Sequence, residues 1–285
     1  MKKQKLAVVF AALLTMVGFS SCLNSEDDGI REWGGYFEVN NTYGSVNFVD
    51  PTGIQLVPNK TIIDAPASSA LAYINYQYKD DDMAQIEQTK KLPVTLLQDP
   101  VYLKRLDCLT TTLPEETKTV SVYSLGERDA LVWGNNKYLI LAPTILLKKG
   151  TTSENLSTEL LNHRLTLYYL SAEGDEDANT LKLYLRYEIS GIGGSSTEET
   201  DDKESWASDY NVRYTNVSHV NLQPIISMYK STHSGSEPEK VTVEYEYNNS
   251  TSSIPTIAKK QTKTVTYNLY TETSSNNCLL YTSPS

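Results

Sequence analysis

Hydrophobic and polar residues alternate along much of the chain, a pattern typical of strands with one buried face. The clearest run covers residues 181–189, where apolar residues take every second position and Lys182, Arg186 and Glu188 lie between them. The same period recurs in residues 241–247, 265–269 and 165–169, and residues 71–79 form a similar segment. Each segment is predicted to be a strand with one face on a core and the other in water.

Two further segments, residues 94–97 and 138–147, are more continuously apolar and are predicted to be buried strands, the second interrupted by Pro143. Helical spacing is nearly absent. It is found only in residues 154–162, where Ser153 is a candidate cap. Many short strands separated by Gly, Pro, Asn and Asp favour an all-β sandwich or barrel over a wound α/β sheet.

The N-terminus has the features of a bacterial lipoprotein signal. Lysines precede an uncharged apolar run, residues 6–19, that is shorter than the roughly 20 residues needed to span a bilayer. Small residues then lead into Cys22 in the sequence Phe19-Ser20-Ser21-Cys22. We expect cleavage after residue 21 and acylation of Cys22, which anchors the chain in the membrane. The alternatives are an ordinary signal peptide and an uncleaved anchor.

Glu26, Asp27 and Asp28 follow the cysteine, and carboxylates are costly to bury in lipid. Residues 22–31 are therefore predicted to be an acidic tether. An acidic run at this position resembles the export signal of surface-exposed lipoproteins in Bacteroidetes, which implies an outer-membrane lipoprotein on the cell surface. A position on the periplasmic face is the open alternative.

The charge of the chain excludes one class of partner. Removal of residues 1–21 takes away three lysines and no acids, so the formal charge changes from −10 to −13. Such a surface repels phosphate backbones, which argues against nucleic-acid binding. Acids are concentrated in runs, one of them near residues 191–209, where Gly, Ser and Thr are also abundant. This segment is predicted to be a mobile acidic loop.

The chain has 20 tyrosines and only four phenylalanines. Tyrosine suits the half-buried face of a strand, because its ring packs while its hydroxyl stays hydrated. The alternative is that some tyrosines and tryptophans form a platform on which sugars stack.

No catalytic or metal-binding motif is evident, so we predict a non-enzymatic protein without cofactor or metal. His163, His219 and His233 lack the spacing of a zinc site and are expected to be solvated. No nucleophile elbow or phosphate-binding glycine loop is present. A mechanism based on a pair of carboxylates stays open.

A calcium-like loop and a cysteine pair are the remaining candidates. Asp175, Asp177 and Asn179 have the spacing that opens an EF-hand loop, but Thr180 and Arg186 replace the required Gly and Glu. If Cys22 is acylated, Cys108 and Cys278 are left, either as a bridge or as two separate thiols.

Four segments together resemble the NigD-like lipoproteins of Bacteroidetes. They are the Phe19-Ser20-Ser21-Cys22 sequence with its acidic run, Ala72-Tyr73-Ile74-Asn75-Tyr76, Pro93-Val94-Thr95-Leu96-Leu97 with its exit at 106–109, and Leu131-Val132-Trp133-Gly134-Asn135-Asn136-Lys137-Tyr138-Leu139. The resemblance implies an OB-like barrel over residues 32–118 and an antiparallel β-sandwich over residues 119–285.

The expected function is that of a non-catalytic, lipid-anchored envelope protein. It would act as an accessory or binding component of a surface complex, with the membrane and either an envelope protein or a glycan as partners. The alternative is a carbohydrate-binding or carbohydrate-active surface lipoprotein. The NigD-like resemblance carries no reaction, and a fold alone implies no ligand.

Overall fold

A computed structural model describes residues 29–42, 44–63, 65–66, 69–171, 179–192, 205–251 and 253–270. The chain divides into two compact units. The first comprises residues 1–105 together with residues 217–219, and the second comprises residues 106–216 and 220–285. The domain boundary at residue 118 stays a prediction.

A closed barrel of five strands forms the first unit. Its strands are β1 (Ile30–Thr42), β2 (Ser45–Val49), β3 (Gln55–Pro58), β4 (Leu71–Lys79) and β5 (Lys91–Leu96), with the short β6 (Val101–Tyr102) and β7 (Lys104–Arg105) following. The strand order is β1-β2-β3-β5-β4, and β4 pairs back with β1 to close the ring. Only the β3–β5 pair of the ring is parallel. This is an OB-like barrel, as predicted.

The long first strand allows the barrel to close. The first part of β1 pairs with β4, from Ile30 opposite Lys79 to Glu38 opposite Leu71. From Glu38 onward β1 pairs with β2 instead. One strand therefore contributes to two neighbouring pairs and bends around a core that includes Phe37 and Phe48. A 3-10 helix (Asp80–Gln85) and α1 (Ile86–Thr89) connect β4 to β5.

The second unit is built on a five-stranded sheet. The strands that follow the barrel are β8 (Asp107–Leu109), β9 (Ala130–Trp133), β10 (Tyr138–Leu141), β11 (Thr144–Lys148), β12 (His163–Tyr168), β13 (Thr180–Ile189), β14 (Tyr210–Thr215), β15 (Ser218–Asn221), β16 (Lys240–Asn248) and β17 (Lys260–Asn268). The sheet order is β17-β16-β13-β12-β8. β9 and β10 pair antiparallel in another sheet, and β11 and β14 form a two-stranded antiparallel sheet of their own. One hydrophobic core is shared by these strands.

The five-stranded sheet is mixed, which refines the expectation of an antiparallel sandwich. β12–β13 and β16–β17 are antiparallel, whereas β13–β16 and β12–β8 are parallel. Parallel neighbours need a long crossover connection, and residues 190–239 supply one between β13 and β16. The all-β class itself is confirmed.

The sequence pattern predicts one of two helices in the second unit and misses the other. α2 (Leu156–Leu160) lies within the predicted segment, but Ser153 does not cap it: Asn155 precedes the helix and makes no side-chain cap bond. α3 (Gln223–Thr232) was not predicted. It begins with a proline in its first turn and buries Ile225, Ile226 and Tyr229.

Most predicted strands are confirmed, but several expectations about their faces are wrong. Residues 71–74 of β4 are buried on both faces, and Thr95 and Leu97 are exposed although residues 94–97 were predicted to be buried. Alternation predicts that Arg186 on β13 and Glu246 on β16 lie on the solvent-facing side of the sheet, but both are buried. Each meets a charged partner on a neighbouring strand, which explains how the burial is tolerated. At the end of the predicted acidic loop, Ser205–Asp209 form a 3-10 helix with Ala207 buried. Residues 193–204 lie outside the described residues.

Candidate functional site

The predicted lipidation site, Cys22, lies outside the described residues, as do the signal and the acidic run. The first described strand begins at Ile30, eight residues after Cys22. Within the described residues, no helix is long and apolar enough to cross a membrane.

One end of the barrel presents aromatic and charged side chains, and we call this set the barrel mouth: Arg31, Trp33, Tyr76, Tyr78 and Asp80. Arg31 lies opposite Tyr78, and Trp33 lies opposite Tyr76, in the β1–β4 register. Alternation along the two strands places these four residues on the face that points into the barrel further along, where Phe37 contacts the Tyr76 ring. The rings of Tyr76 and Tyr78 are 6.2 Å apart.

Trp33 is the exposed aromatic residue of the barrel mouth. Its relative exposure is 45%, whereas Tyr76 is buried and Tyr78 is half-buried. Beside it, Arg31 donates from Nε and Nη2 to the two carboxylate oxygens of Asp80 at 3.1 and 2.7 Å. This bidentate pair is about half exposed, so it offers a donor and an acceptor group at the surface. The arrangement can hold a ligand with one apolar face and several hydroxyls.

The other tyrosines mostly serve the core. Among the tyrosines that the structure describes, Tyr270 alone is in the exposed class. Most of the others are buried, including Tyr169, Tyr187 and Tyr229. Most of the described tyrosines are therefore core residues rather than parts of a sugar-stacking surface. Among the described residues, the aromatic side chains in the exposed class are Trp33 of the barrel mouth and Tyr270.

The second unit contains a buried polar centre around His163. The Nε2 atom of His163 lies 3.0 Å from Glu159 Oε1, and its Nδ1 atom lies 2.5 Å from the hydroxyl of Tyr187. Glu159 also accepts a hydrogen bond from the Lys148 N–H at 2.9 Å. The rings of Tyr187 and Tyr210 pack against the imidazole, one stacked and one edge-on. This centre links α2, β11, β12, β13 and β14.

Burial sets the protonation of this centre. Burial lowers the pKa of His163, and the opposing effect of Glu159 is smaller. Burial alone would raise the pKa of Glu159, but the hydrogen bonds from His163 and Lys148 hold it below its usual value. Burial also raises the pKa of Tyr187. A neutral imidazole that accepts from Tyr187 and donates to Glu159 fits these directions.

The expectation that the three histidines are solvated is wrong for two of them. His163 and His219 are 4% and 1% exposed. Burial, reinforced by Arg105, lowers the pKa of His219 to about 4. His233 is half-buried at the end of α3, with its ring stacked on Tyr229 at 3.9 Å. The sequence pattern did not predict the burial of these histidines, because residues in loops and at strand ends are expected to face water.

A second buried cluster surrounds Lys260 on β17. Its ammonium group donates to Glu246 Oε1 at 3.1 Å, to the carbonyls of Glu116 and Thr119 at 2.7 and 2.9 Å, and to the Thr119 hydroxyl. Burial lowers the pKa of Lys260, and Glu246 opposes that shift. Arg186 lies 4.0 Å from Glu246 and pairs with Glu244 at 2.8 Å. This cluster fastens residues 116–119 to the sheet.

The remaining candidates give no assembled site. Asp175 and Asp177 of the calcium-like spacing lie outside the described residues, and Asn179 precedes β13. Within the described ranges, no group of three His, Cys, Asp or Glu side chains could hold a metal ion. Cys108 is a free, half-buried thiol in β8, and burial raises its pKa to about 12. Cys278 lies outside the described residues.

The sequence matches no protein-family model and no curated protein. Several crystal structures are similar to the chain. One, from Bacteroides fragilis and provisionally called a lipoprotein, has a TM-score of 0.63 and 22% identity, and the match covers 85% of this chain and 99% of that one. An uncharacterised protein from Parabacteroides merdae has a TM-score of 0.49 and 15% identity, and the match covers 84% of this chain and 99% of that one.

A NigD-like immunity protein from Bacteroides caccae gives a TM-score of 0.42 and 11% identity, with coverage of 83% and 95%. A protein described as NigD-like is thus found among the structural neighbours. At 22% identity, the likeness to the Bacteroides fragilis structure shows a shared fold.

Proposed function

We propose that this protein is a non-catalytic, lipid-anchored component of the cell envelope that binds a partner at the outer membrane. The observation that carries the proposal is the short distance in sequence between the predicted anchor and the barrel. Cys22 and Ile30 are eight residues apart. At no more than about 3.6 Å per residue, the acylated cysteine holds the start of β1 within about 30 Å of the membrane.

The anchor itself is argued from the residues of this chain. The basic N-terminus and the small residues before Cys22 favour acylation of that cysteine. The acidic segment after Cys22 favours a solvated link rather than insertion into the membrane. The provisional name of the Bacteroides fragilis neighbour agrees with this anchor. Exposure on the cell surface is part of the proposal, and it is supported by the resemblance of the acidic run after Cys22 to the export signal of surface-exposed lipoproteins.

The non-catalytic role is supported by how the reactive groups are used. Both nitrogens of His163 are engaged, and Lys260 is surrounded by acceptors. These groups stabilise the second unit and lie away from solvent. A panel of chromogenic glycosides, esters and peptides tests the proposal. Turnover that is lost on replacement of one Asp or Glu, with the fold intact, would overturn it.

The anchor is tested with Cys22→Ala and the matched control Cys108→Ala. We expect Cys22→Ala to lose labelling by a radiolabelled fatty acid and to leave the membrane fraction, while Cys108→Ala keeps both. Protease added to intact cells then tests surface exposure, because a periplasmic protein is protected. Undiminished labelling of the Cys22 variant would contradict the proposal.

A second candidate function is carbohydrate binding, and one observation favours it. Trp33 is a large aromatic side chain exposed beside the Arg31–Asp80 pair. Large exposed aromatic groups are informative because folding normally removes them from water. Binding to a glycan array that falls on replacement of Trp33 favours this function. Co-purification with an envelope protein and no glycan favours the first.

A further inference from the structure

We propose that the barrel mouth is a subsite for one hexopyranose unit of a neutral glycan. The proposal rests on the carbohydrate-binding candidate function and assigns the ligand class and the residues. Trp33 would stack on the ring of the sugar, and the Arg31–Asp80 pair would bind its hydroxyls. Mouths of β-barrels are recurrent places for ligand sites.

The aromatic part of the argument concerns Trp33 and its neighbours. The side chain is 45% exposed although it stands on the face of β1 that is apolar and buried at Phe37. Tyr76 lies across from it on β4 and is buried, and the half-buried Tyr78 lies next along the same face, so the two rings support the base of the mouth. A hexopyranose has a face of C–H groups that matches such a surface in size and polarity.

The polar part concerns the Arg31–Asp80 pair. Its two hydrogen bonds fix both side chains at the edge of the mouth, where they retain about 44% and 45% side-chain exposure. A guanidinium group donates and a carboxylate accepts, and a sugar hydroxyl does both. The pair is therefore complementary to neighbouring hydroxyls on a ring held by Trp33.

The charge around the mouth selects neutral sugars. Glu32 follows Arg31, and Asp81 and Asp82 follow Asp80 in the 3-10 helix after β4. These four carboxylates outnumber the two nearby cationic side chains, Arg31 and Lys79, so the surroundings carry excess negative charge. Uronate and sulfate groups would be repelled, which leaves neutral hexoses as the favoured class.

The test uses the mature lipidated protein, extracted in a detergent that contains no sugar, on an array of neutral gluco-, manno- and galacto-oligosaccharides with uronate and sulfated oligosaccharides alongside. We expect binding to neutral glycans. Trp33→Ala should weaken it at least tenfold, and Trp33→Phe should weaken it less. Asp80→Asn and Arg31→Lys should each weaken it several-fold. Leu161→Ala, which changes a residue that is 83% exposed in the second unit, should leave it unchanged.

The possible results separate the site from the function. Glycan binding that is unchanged in Trp33→Ala overturns the subsite and leaves carbohydrate binding in place. Preference for uronate or sulfated glycans overturns the ligand class. Absence of any binding by the folded wild-type protein overturns both the subsite and the carbohydrate candidate, while the anchor at Cys22 is judged by its own labelling experiment. Circular dichroism of each variant establishes that it is folded.

Discussion

At the scale of single residues, the two adjacent glycines of β1 have different roles. A Cβ atom on Gly34 would lie 2.2 Å from Asn75 Oδ1 and 2.8 Å from the Tyr73 hydroxyl. A Cβ atom on Gly35 would lie 3.3 Å from the Phe37 ring, a tight contact that a shift of the ring by a few tenths of an ångström relieves. Gly34 is therefore the more crowded of the two positions, because the Asn75 and Tyr73 side chains would have to move to admit a side chain there.

We expect Gly34→Ala to lower the free energy of unfolding by about 1–3 kcal/mol, the usual cost of forcing extra atoms into a packed site. Gly35→Ala is the matched control and should change stability by less than about 1 kcal/mol, since Ala is better than Gly in a strand. Urea denaturation followed by tyrosine fluorescence measures both. Equal effects of the two substitutions would contradict the assignment.

Burial also makes single histidines sensitive to pH. The pKa of His219 falls from 6.5 to about 4 on folding, so the unfolded chain binds the proton first as the pH decreases. His219 therefore contributes stability above pH 6.5, and this contribution is lost as the pH falls from 6.5 towards 4. His163 acts in the same direction, because its pKa is also lowered. Glu159, whose pKa is lowered from 4.5, adds a further loss below pH 4.5.

We expect the stability of the wild-type protein to fall by on the order of 2 kcal/mol between pH 7.5 and pH 5 on account of His219, at about 1.4 kcal/mol per pKa unit. His219→Gln should reduce this fall. Urea denaturation at the two pH values provides the measurement, and NMR titration of the imidazole signals gives each pKa directly. A His219 resonance that titrates near pH 6.5 in the folded protein would refute the prediction.

At the scale of elements, a segment of loop completes the main sheet. β13 and β16 pair as far as Leu185 opposite Tyr245. Beyond that point the Val120 N–H donates to the Tyr187 carbonyl at 2.7 Å, and the Val122 N–H donates to the Glu246 carbonyl at 2.9 Å. Residues 120–122 therefore provide hydrogen-bond donors for backbone carbonyls of both strands beyond the point where the pairing of the strands ends. Lys260 holds the preceding residues in place through the carbonyls of Glu116 and Thr119.

We expect Lys260→Met to destabilise the protein by about 3–5 kcal/mol, because it leaves the Glu246 carboxylate buried without its ammonium partner. The double variant Lys260→Met with Glu246→Leu should recover much of that loss, since both charges are then absent. Thermal and urea denaturation of the two single variants and the double variant complete a cycle. A double variant that is as unstable as the sum of the single variants would show that the pair is not coupled.

The strands differ in how far their sequence determines them. Residues 71–79 were predicted as a strand and coincide with β4, although residues 71–74 are buried on both faces rather than on one. β1 was missed, since its two glycines break the alternation although both fit the backbone of the barrel. The burial of Arg186 and Glu246 could not be predicted, because alternation identifies two faces and does not say which charged partner a neighbouring strand brings.

The candidate site could not be predicted from the sequence for the same reason, since a local pattern does not show which residues a neighbouring strand brings close. The sequence gives three tryptophans, and the three have different surroundings: Trp33 is exposed, Trp133 is buried and Trp206 packs partly against the core. Only the register between β1 and β4 brings Trp33 next to Tyr76. That register is set by pairing between residues more than 40 positions apart, which a local pattern does not contain.

At the scale of the whole molecule, the second unit is assembled from distant parts of the chain. β13 ends at Ile189 and its parallel neighbour β16 begins at Lys240. Between them lies the acidic stretch near residues 191–209, which its composition predicts to be mobile. A cut in that stretch would leave β13 and β16, which pair directly in the sheet, on two separate pieces of the chain.

We expect a glutamate-specific protease, acting on the anchored protein at low concentration, to cut first among Glu198, Glu199 and Glu204 or at Glu26 in the tether. After a cut in the acidic stretch, the two fragments should separate on a denaturing gel. Under native conditions they should elute together, because the β13–β16 pairing and the shared core hold them. Replacement of the three glutamates by glutamine is the matched control and should delay the cut. Initial cleavage within the strands, at Glu188 or Glu244 for example, would contradict the predicted mobility, and fragments that separate under native conditions would contradict the role assigned to the β13–β16 pair.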